Sequence, residues 1–254
     1  ADVTVSEASP YAVFTVSGTP GQVLNLALQG TGTGAGFATP GTDTGTALQY
    51  FDGSNWVSYS GSVTMAGSSL LVRVAVAQDS VYEGPETFRL LATNSSGKTS
   101  TGGTGTIRDD GGSATIFGPA DIAPQTGSSD DDRALAIADV TVSEASPHVV
   151  FTITGTAGQV LHLALQANGS GAGFAAPGTD TGAALDYWTG TAWASYGGSV
   201  TMAGSTLLVR TAITQDSAYE GPETFRLLAT NSSGKTSTGG IGTIRDDGGS
   251  ATVF

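Results

Sequence analysis

The stretch DSVYEGPETF, residues 79–88, returns as DSAYEGPETF at residues 216–225. Each copy places three carboxylates within eight positions, although charged residues make up only 12% of the chain. An apolar and polar alternation typical of a β-strand follows the last acid of each copy. The stretch therefore indicates a repeated acidic loop that leads into a strand.

The repetition extends over nearly the whole chain. Residues 1–117 align without gaps on residues 138–254, and about four positions in five are identical. A repeat of this length corresponds to one domain per copy rather than to a solenoid unit. Residues 118–137 are rich in Pro, Gly, Ser and Asp, which is typical of a linker. We predict domains at 1–117 and 138–254 with a linker at 118–137, and expect the chain to be part of a longer tandem array.

The strand pattern predicts an all-β fold. The 38 glycines and the β-branched runs disfavour helices, and the Asp-Gly of FDGSNW, residues 51–56, predicts a hairpin turn. Seven to nine short strands per copy are typical of an immunoglobulin-like β-sandwich. For the first copy we predict strands at Val3–Val5, Ala12–Ser17, Val23–Gln29, Ala47–Phe51, Trp56–Tyr59, Ser62–Met65, Leu70–Ala77, Thr87–Thr93 and Gly103–Arg108.

This strand order predicts that the acids meet at one end of the sandwich. If consecutive strands are antiparallel, the strand before the acidic loop ends where the strand after it begins, and the last strand ends there too. Asp79, Glu83 and Glu86 would then lie near Asp109 and Asp110 of IRDDGG. Glu7 would join them if the first strand runs parallel to the last.

Clustered carboxylates repel one another, and a divalent cation removes that repulsion. Calcium takes about 6–8 oxygen ligands from adaptable loops. Magnesium requires stricter octahedral geometry, and zinc prefers His or Cys ligands. The alternative is that the acids at these strand ends are simply solvated.

The segment DSVYEGPETFRL, followed by GTGTIRDDG, resembles the signature of Calx-β domains, and most of all the Calx-β-like repeats of large bacterial surface and adhesin proteins. This resemblance implies calcium-binding β-sandwiches, with the backbone carbonyls of Val81 and Ala218 as additional ligands. The implied side-chain ligands are Glu7, Asp79, Glu83, Glu86, Asp109 and Asp110, and in the second copy Glu144, Asp216, Glu220, Glu223, Asp246 and Asp247.

Three further acids stand in the linker, and one in an earlier turn. Asp130, Asp131 and Asp132 are candidate ligands at the junction, whereas Asp43 is interpreted first as a turn residue and second as a ligand. Where animal members of the family carry more acids, this chain has Gln78 before Asp79 and Gly111 after Asp110. Fewer acids imply fewer ions per domain or weaker binding.

Other functions have less support in the sequence. His148 and His162 have no counterpart in the first copy, and with no cysteine in the chain we expect no enzyme activity. A net charge of −13 disfavours binding to nucleic acid or to an anionic membrane. The main alternative is a carbohydrate-binding module that uses aromatic side chains: Trp56, Tyr59, Trp188, Trp193 and Tyr196.

The sequence thus predicts calcium-stiffened extender repeats of a secreted or cell-surface bacterial protein. The expected partners are neighbouring repeats of the same chain and a glycan or protein target on a cell surface.

Overall fold

The structure is a computed structural model that describes residues 1–97, 100–127, 130–234, 236–246 and 252–253. The chain divides into two compact units, Ala1–Asp132 and Arg133–Phe254. Every regular element among the described residues is a strand, and none of these residues forms a helix that could cross a membrane. Each unit is an immunoglobulin-like β-sandwich, as predicted.

The described residues of unit 1 form nine strands, each within three residues of its predicted bounds. They are β1 Val3–Ser6, β2 Tyr11–Ser17, β3 Val23–Gly30, β4 Thr44–Phe51, β5 Trp56–Ser58, β6 Val63–Thr64, β7 Ser69–Val76, β8 Glu86–Asn94 and β9 Ser100–Arg108. The predicted turn between β4 and β5 is confirmed: Asp52 Oδ1 accepts hydrogen bonds from the amides of Ser54 and Asn55, both at 2.8 Å.

The strands of unit 1 form two sheets, in the orders β1-β9-β8-β3-β6 and β2-β7-β4-β5. Strand β1 pairs with β9 in parallel, with Val3 opposite Gly105 and Ser6 opposite Arg108. This confirms the parallel arrangement that brings Glu7 towards the end of β9. Strands β7 and β8 belong to different sheets, so the acidic loop between them crosses from one sheet to the other.

The core of unit 1 lies between the sheets, where the rings of Phe14 and Phe88 meet edge to face with centroids 5.7 Å apart. Gly105 on β9 lies directly opposite Phe88 on β8. A Cβ atom at Gly105 would overlap the Phe88 ring and lie 2.9 Å from Phe14 Cζ. A glycine is therefore required for the two rings to pack against β9.

Unit 2 repeats this plan with one extra edge strand. Its strands are β10 Ala136–Ile137, β11 Val140–Ser143, β12 His148–Thr154, β13 Val160–Ala167, β14 Asp186–Trp188, β15 Trp193–Ser195, β16 Val200–Thr201, β17 Thr206–Ala212, β18 Glu223–Asn231 and β19 Ser237–Arg245. The sheet orders are β11-β19-β18-β13-β16 and β10-β12-β17-β14-β15. Phe151 and Phe225 form the same edge-to-face pair, again with centroids 5.7 Å apart.

The stretch predicted as a linker, 118–137, is shared between the units. Its residues up to Asp132 belong to unit 1, and Arg133 onwards belongs to unit 2. Strand β10 pairs with β12, and Ile137 lies in the core of unit 2. Asp130, Asp131, Arg133 and Ile137 are buried, whereas residues 122–127 are exposed.

Candidate metal centre

The ends of three strands meet at one end of unit 1, which we call the acidic pole. Glu7 directly follows β1, Glu86 begins β8, and Asp109 directly follows β9. Asp79 and Glu83 lie on the loop that crosses between the sheets after β7. The acids come together because β8 runs antiparallel to β9 whereas β1 runs parallel to it.

Six carboxylates line one small cavity at this pole. One oxygen from each of Asp43, Glu83 and Glu86 lies within 4.8 Å of the others, a separation short enough for three oxygens to contact a single cation. The six acids that line the cavity are Glu7, Asp43, Asp79, Glu83, Glu86 and Asp109.

Backbone amides of the crossing loop hold several of these carboxylates. The Asp79 amide donates to Glu7 Oε1 at 2.9 Å, and the Glu83 amide donates to Asp109 Oδ2 at 2.7 Å. Asp79 Oδ1 accepts the amide of Val81 at 2.7 Å. The second oxygen of Asp109, Oδ1, is buried without a donor in hydrogen-bonding geometry. A bound cation would provide a partner for this buried oxygen.

Burial and mutual repulsion disfavour the ionised forms of these acids. The pKa of Glu7 is raised to about 7, chiefly by burial and also by the charges of Asp109, Asp79 and Asp130, against the lowering effect of the Asp79 amide. Burial also raises the pKa of Glu86 to about 7, assisted mainly by Asp43 and Glu83. The pKa values of Glu83 and Asp109 are raised as well, chiefly by burial. Full ionisation of these acids is therefore unfavourable unless a positive charge is bound among them.

Asp43 is the residue whose position the sequence interpretation underrated. Its Oδ2 accepts the Thr39 amide at 2.5 Å, so it is a turn residue as expected, yet it also faces Glu83 and Glu86 across the cavity. Asp43 directly precedes β4, in the sheet that contains β7 but not β8. Asp43 is distant in sequence from the other acids, so the sequence pattern does not predict that it lies beside them.

Asp110 is oriented differently from its neighbour Asp109. Its carboxylate pairs with Arg108 at 2.8 Å and accepts the Gly112 amide at 2.9 Å. Val81 is 59% exposed on the crossing loop. Metal binding by Asp110 and by the Val81 carbonyl stays a prediction.

Unit 2 has an equivalent pole. Asp180, Glu220 and Glu223 each place an oxygen within 4.8 Å of the others, and Glu144 and Asp246 line the same cavity. The Asp216 amide donates to Glu144 Oε1 at 3.1 Å. Burial and neighbouring acids raise the pKa values of Glu220 and Glu223. Asp247, also predicted as a ligand, lies outside the described residues.

The acids of the predicted linker lie beside the pole of unit 1. Asp130 and Asp131 are 0% and 1% exposed. The Asp132 amide donates to the Asp109 carbonyl at 3.1 Å, and the Gly111 amide donates to the Asp130 carbonyl at 2.5 Å. Because the charge of Asp130 raises the pKa of Glu7, it adds to the negative potential of the cavity.

The aromatic side chains considered for sugar binding are engaged in packing. Trp56 and Tyr59 pack against the core of unit 1, and the Arg73 guanidinium covers the Trp56 ring at 4.3 Å. In unit 2, Arg210 lies 4.4 Å from the centroid of Trp193, which also contacts Trp188. Tyr196 packs against the core there. This arrangement favours a structural role for these rings.

The two histidines lie on strands, and neither lines the cavity of unit 2. His148 begins β12, where burial lowers its pKa. His162 lies on β13, with Nδ1 2.8 Å from the Gly198 carbonyl.

Comparisons with known proteins give distant structural similarity alone. No family model matches the chain, and no curated protein matches it. The CBD12 fragment of CALX1.2 is 16% identical over 90% of this chain and 76% of its own, with a TM-score of 0.31. The apo form of the Calx CBD1 domain is 16% identical over 45% and 98%, with a TM-score of 0.32. The CupB2 chaperone of Pseudomonas aeruginosa is 10% identical over 95% and 94%, with a TM-score of 0.29.

Proposed function

We propose that each unit binds calcium at its acidic pole. The observation that carries this proposal is the convergence of six carboxylates on one cavity of unit 1, matched by an equivalent group in unit 2. A purely solvated cluster would be expected at the surface, whereas Glu7, Glu86 and Asp109 are 6%, 7% and 2% exposed. Burying several like charges without a counter-ion is costly.

The ligand chemistry favours calcium over other common cations. All candidate ligand atoms are carboxylate or carbonyl oxygens, which are the ligands of hard cations. They come from strand ends and a loop, and this adaptable set suits the variable coordination of calcium better than the strict octahedron of magnesium. Zinc sites usually include His or Cys, and no histidine lines either cavity.

The proposed role of the ion is structural. The acids are contributed by the ends of β1, β8 and β9, by the turn before β4 and by the loop that crosses between the sheets. A cation bound there would join both sheets at one end and favour the folded state by mass action.

Calcium titration of the full chain by isothermal calorimetry tests this proposal. We expect saturable binding at both poles and much weaker binding of magnesium. The absence of saturable calcium binding at millimolar concentrations, in protein shown to be folded, would reject the proposed function.

We further propose that the units are extender repeats of a secreted or cell-surface bacterial adhesin-like protein, without enzyme activity. This proposal is supported by the tandem repeat, the absence of cysteine, the acidic charge and the resemblance of DSVYEGPETFRL and GTGTIRDDG to Calx-β-like repeats. Its expected partners are neighbouring repeats and a surface glycan or protein. In this role calcium would also stiffen the junction. Small-angle scattering should then give a larger maximum dimension with calcium than with chelator, and identical profiles would exclude stiffening.

A further inference from the structure

The segment that follows the last sheet strand of unit 1 contacts its own sandwich at both ends, whereas residues 122–127 are exposed. We call residues 116–132 the clasp segment, of which 116–127 and 130–132 are described. At its start, Phe117 is 5% exposed and its amide donates to Ser9 Oγ at 2.8 Å. Further along, Arg73 Nη1 donates to the Pro119 carbonyl at 2.5 Å. These contacts fix the first part of the segment on the sandwich.

The other end of the clasp segment is held at the acidic pole. The Asp130 amide donates to Ser6 Oγ at 2.9 Å, and Gln78 Nε2 donates to Asp130 Oδ2 at 2.6 Å. A Cβ atom at Gly111, where φ is +69°, would lie 3.1 Å from Asp131 Oδ2, so the segment approaches the backbone closely there. The clasp segment is thus anchored at both ends by specific hydrogen bonds.

Unit 2 retains the groups that receive the clasp segment. The residues that contact it in unit 1 recur 137 positions later with the same identities: Ser143, Ser146, Arg210, Gln215 and Asp246. The backbone also approaches this surface along the same path. The Ser143 amide donates to the Thr252 carbonyl at 3.0 Å, as the Ser6 amide donates to the Thr115 carbonyl at 3.0 Å. In unit 2, Val253 and Phe254 follow at the positions of Ile116 and Phe117.

The same surface is more exposed in unit 2. Four residues that are buried in unit 1 have partly exposed counterparts in unit 2. The pairs are Ser6 and Ser143, Glu7 and Glu144, Arg73 and Arg210, and Asp109 and Asp246. Three of these residues in unit 1 bond directly to the clasp segment: Ser6, Arg73 and Asp109. The difference in exposure thus falls on part of the surface that the clasp segment contacts, whereas Ser146 is buried like its counterpart Ser9.

We propose that this surface of unit 2 is a docking site for a second clasp segment, joined after Phe254 as Gly118 follows Phe117. The occupant is a chain with the sequence of residues 118–132, bound in cis. The Arg210 guanidinium donates to the carbonyl of the residue equivalent to Pro119. Ser143 and Gln215 bind the residue equivalent to Asp130, and the Asp246 carbonyl accepts the amide of the residue equivalent to Asp132. In unit 1 the segment that follows the sandwich contacts it through Arg73 and Ser6, and the same contacts would hold an equivalent segment on unit 2. This inference does not depend on calcium.

The test extends the full chain after Phe254 with GPADIAPQTGSSDDDR, the sequence of residues 118–133. The control carries the same sixteen residues in scrambled order. Limited proteolysis followed by intact mass measurement separates cuts in the extension from cuts in the native segment of unit 1, which serves as an internal reference. We expect the ordered extension to be cut at least about tenfold more slowly than the scrambled one, because docked backbone resists cleavage.

A point variant separates docking from general compaction. Gln215 is exposed, so Gln215→Ala should leave unit 2 folded while removing the bond to the aspartate of the extension. We expect this variant to accelerate cleavage of the ordered extension and to leave the scrambled one unchanged. Equal cleavage of ordered and scrambled extensions in folded protein would overturn the proposal. Protection that appears only as dimers form, judged by light scattering, would also overturn it, because the segment would then bind in trans.

Discussion

Glu86 combines burial with close acidic neighbours, and so illustrates the cost of the acidic pole at the scale of one residue. Its side chain is 7% exposed, and its oxygen faces those of Asp43 and Glu83. Burial and these charges raise its pKa to about 7. When Glu86 is ionised and no cation is bound, its charge destabilises the folded state. A bound cation removes this cost, so the same charge favours cation binding.

Replacing this carboxylate should therefore have opposite effects on affinity and on metal-free stability. We expect Glu86→Gln to weaken calcium binding in unit 1 by tenfold or more, about 1.4 kcal/mol, because a charged ligand is lost. Without calcium, the same variant should unfold at a higher temperature, because a disfavoured buried charge is removed. Calorimetric titration and thermal unfolding measure the two effects.

Asp2→Asn is the matched control, since it also removes one charge, directly precedes β1 at the end opposite Glu7, and keeps an oxygen to accept the Thr104 amide. If Glu86→Gln and Asp2→Asn altered calcium affinity equally, the effect would be one of net charge and not of the site.

The raised pKa values also predict how metal-free stability depends on pH. Glu7 and Glu86 have folded-state pKa values of about 7, above the value of 4.5 for the unperturbed group. Between these values the folded state binds more protons than the unfolded state, so the free energy of unfolding falls as pH rises. We expect chelator-stripped protein to be more stable near pH 5 than near pH 7.5, by a few kcal/mol.

Saturating calcium should reduce this difference or reverse it, because the cation binds the ionised carboxylates. Denaturant unfolding at the two pH values, with and without calcium, measures the change. Metal-free stability that rises from pH 5 to pH 7.5 would contradict the pKa assignments.

At the scale of elements, the pairing of β8 with β9 depends on glycine. A methyl group at Gly105 would overlap the Phe88 ring and press on Phe14. We expect Gly105→Ala to destabilise unit 1 by about 1–3 kcal/mol, the usual cost of overpacking a core. Gly67→Ala is the control, since a Cβ atom there meets no atom within 4 Å. Urea unfolding of both variants makes the comparison, and equal losses would mean that the ring contact is unimportant.

Most strands could be predicted from sequence, because alternation between the core and solvent determines which residues they contain. The convergence of Glu7, Glu86 and Asp109 followed from strand direction alone. Asp43 was underrated because its approach depends on how the two sheets stack, which no local pattern encodes. The different orientation of Asp110 likewise depends on its ion pair with Arg108.

The clasp segment was beyond sequence-based prediction for a related reason. Its Pro, Gly, Ser and Asp residues form few regular backbone pairs, so their composition indicates a linker. The bonds that hold it, from Arg73 to the Pro119 carbonyl and from the Asp130 amide to Ser6, join residues far apart in sequence. Only the folded sandwich brings these groups together.

At the scale of the whole molecule, the two poles have related acids in different surroundings. Asp130 lies at the pole of unit 1 and adds negative potential near Glu7. We therefore expect two classes of calcium site in the full chain, with the tighter site in unit 1. Asp130→Asn should weaken that tighter site and bring the two affinities closer together, while retaining an oxygen that can accept from Gln78.

Asp121→Asn is the control, because Asp121 lies in the same segment and accepts the Gly118 amide, a bond that asparagine can keep. Calorimetric titration of both variants shows whether only Asp130→Asn lowers the calcium affinity of the tighter site. Unchanged binding in Asp130→Asn would show that the clasp segment does not contribute to the calcium site.

By binding at the acidic poles, calcium should stabilise the sandwiches against unfolding. Thermal unfolding of the full chain with calcium, after exhaustive chelation, and with magnesium tests this stabilisation most directly. A calcium concentration one hundred times the dissociation constant should stabilise a binding unit by about 2.7 kcal/mol. We expect a clear rise in the unfolding temperature with calcium, reversal on chelation, and little effect of magnesium. An unfolding temperature that is the same in calcium and in chelator would contradict this expectation.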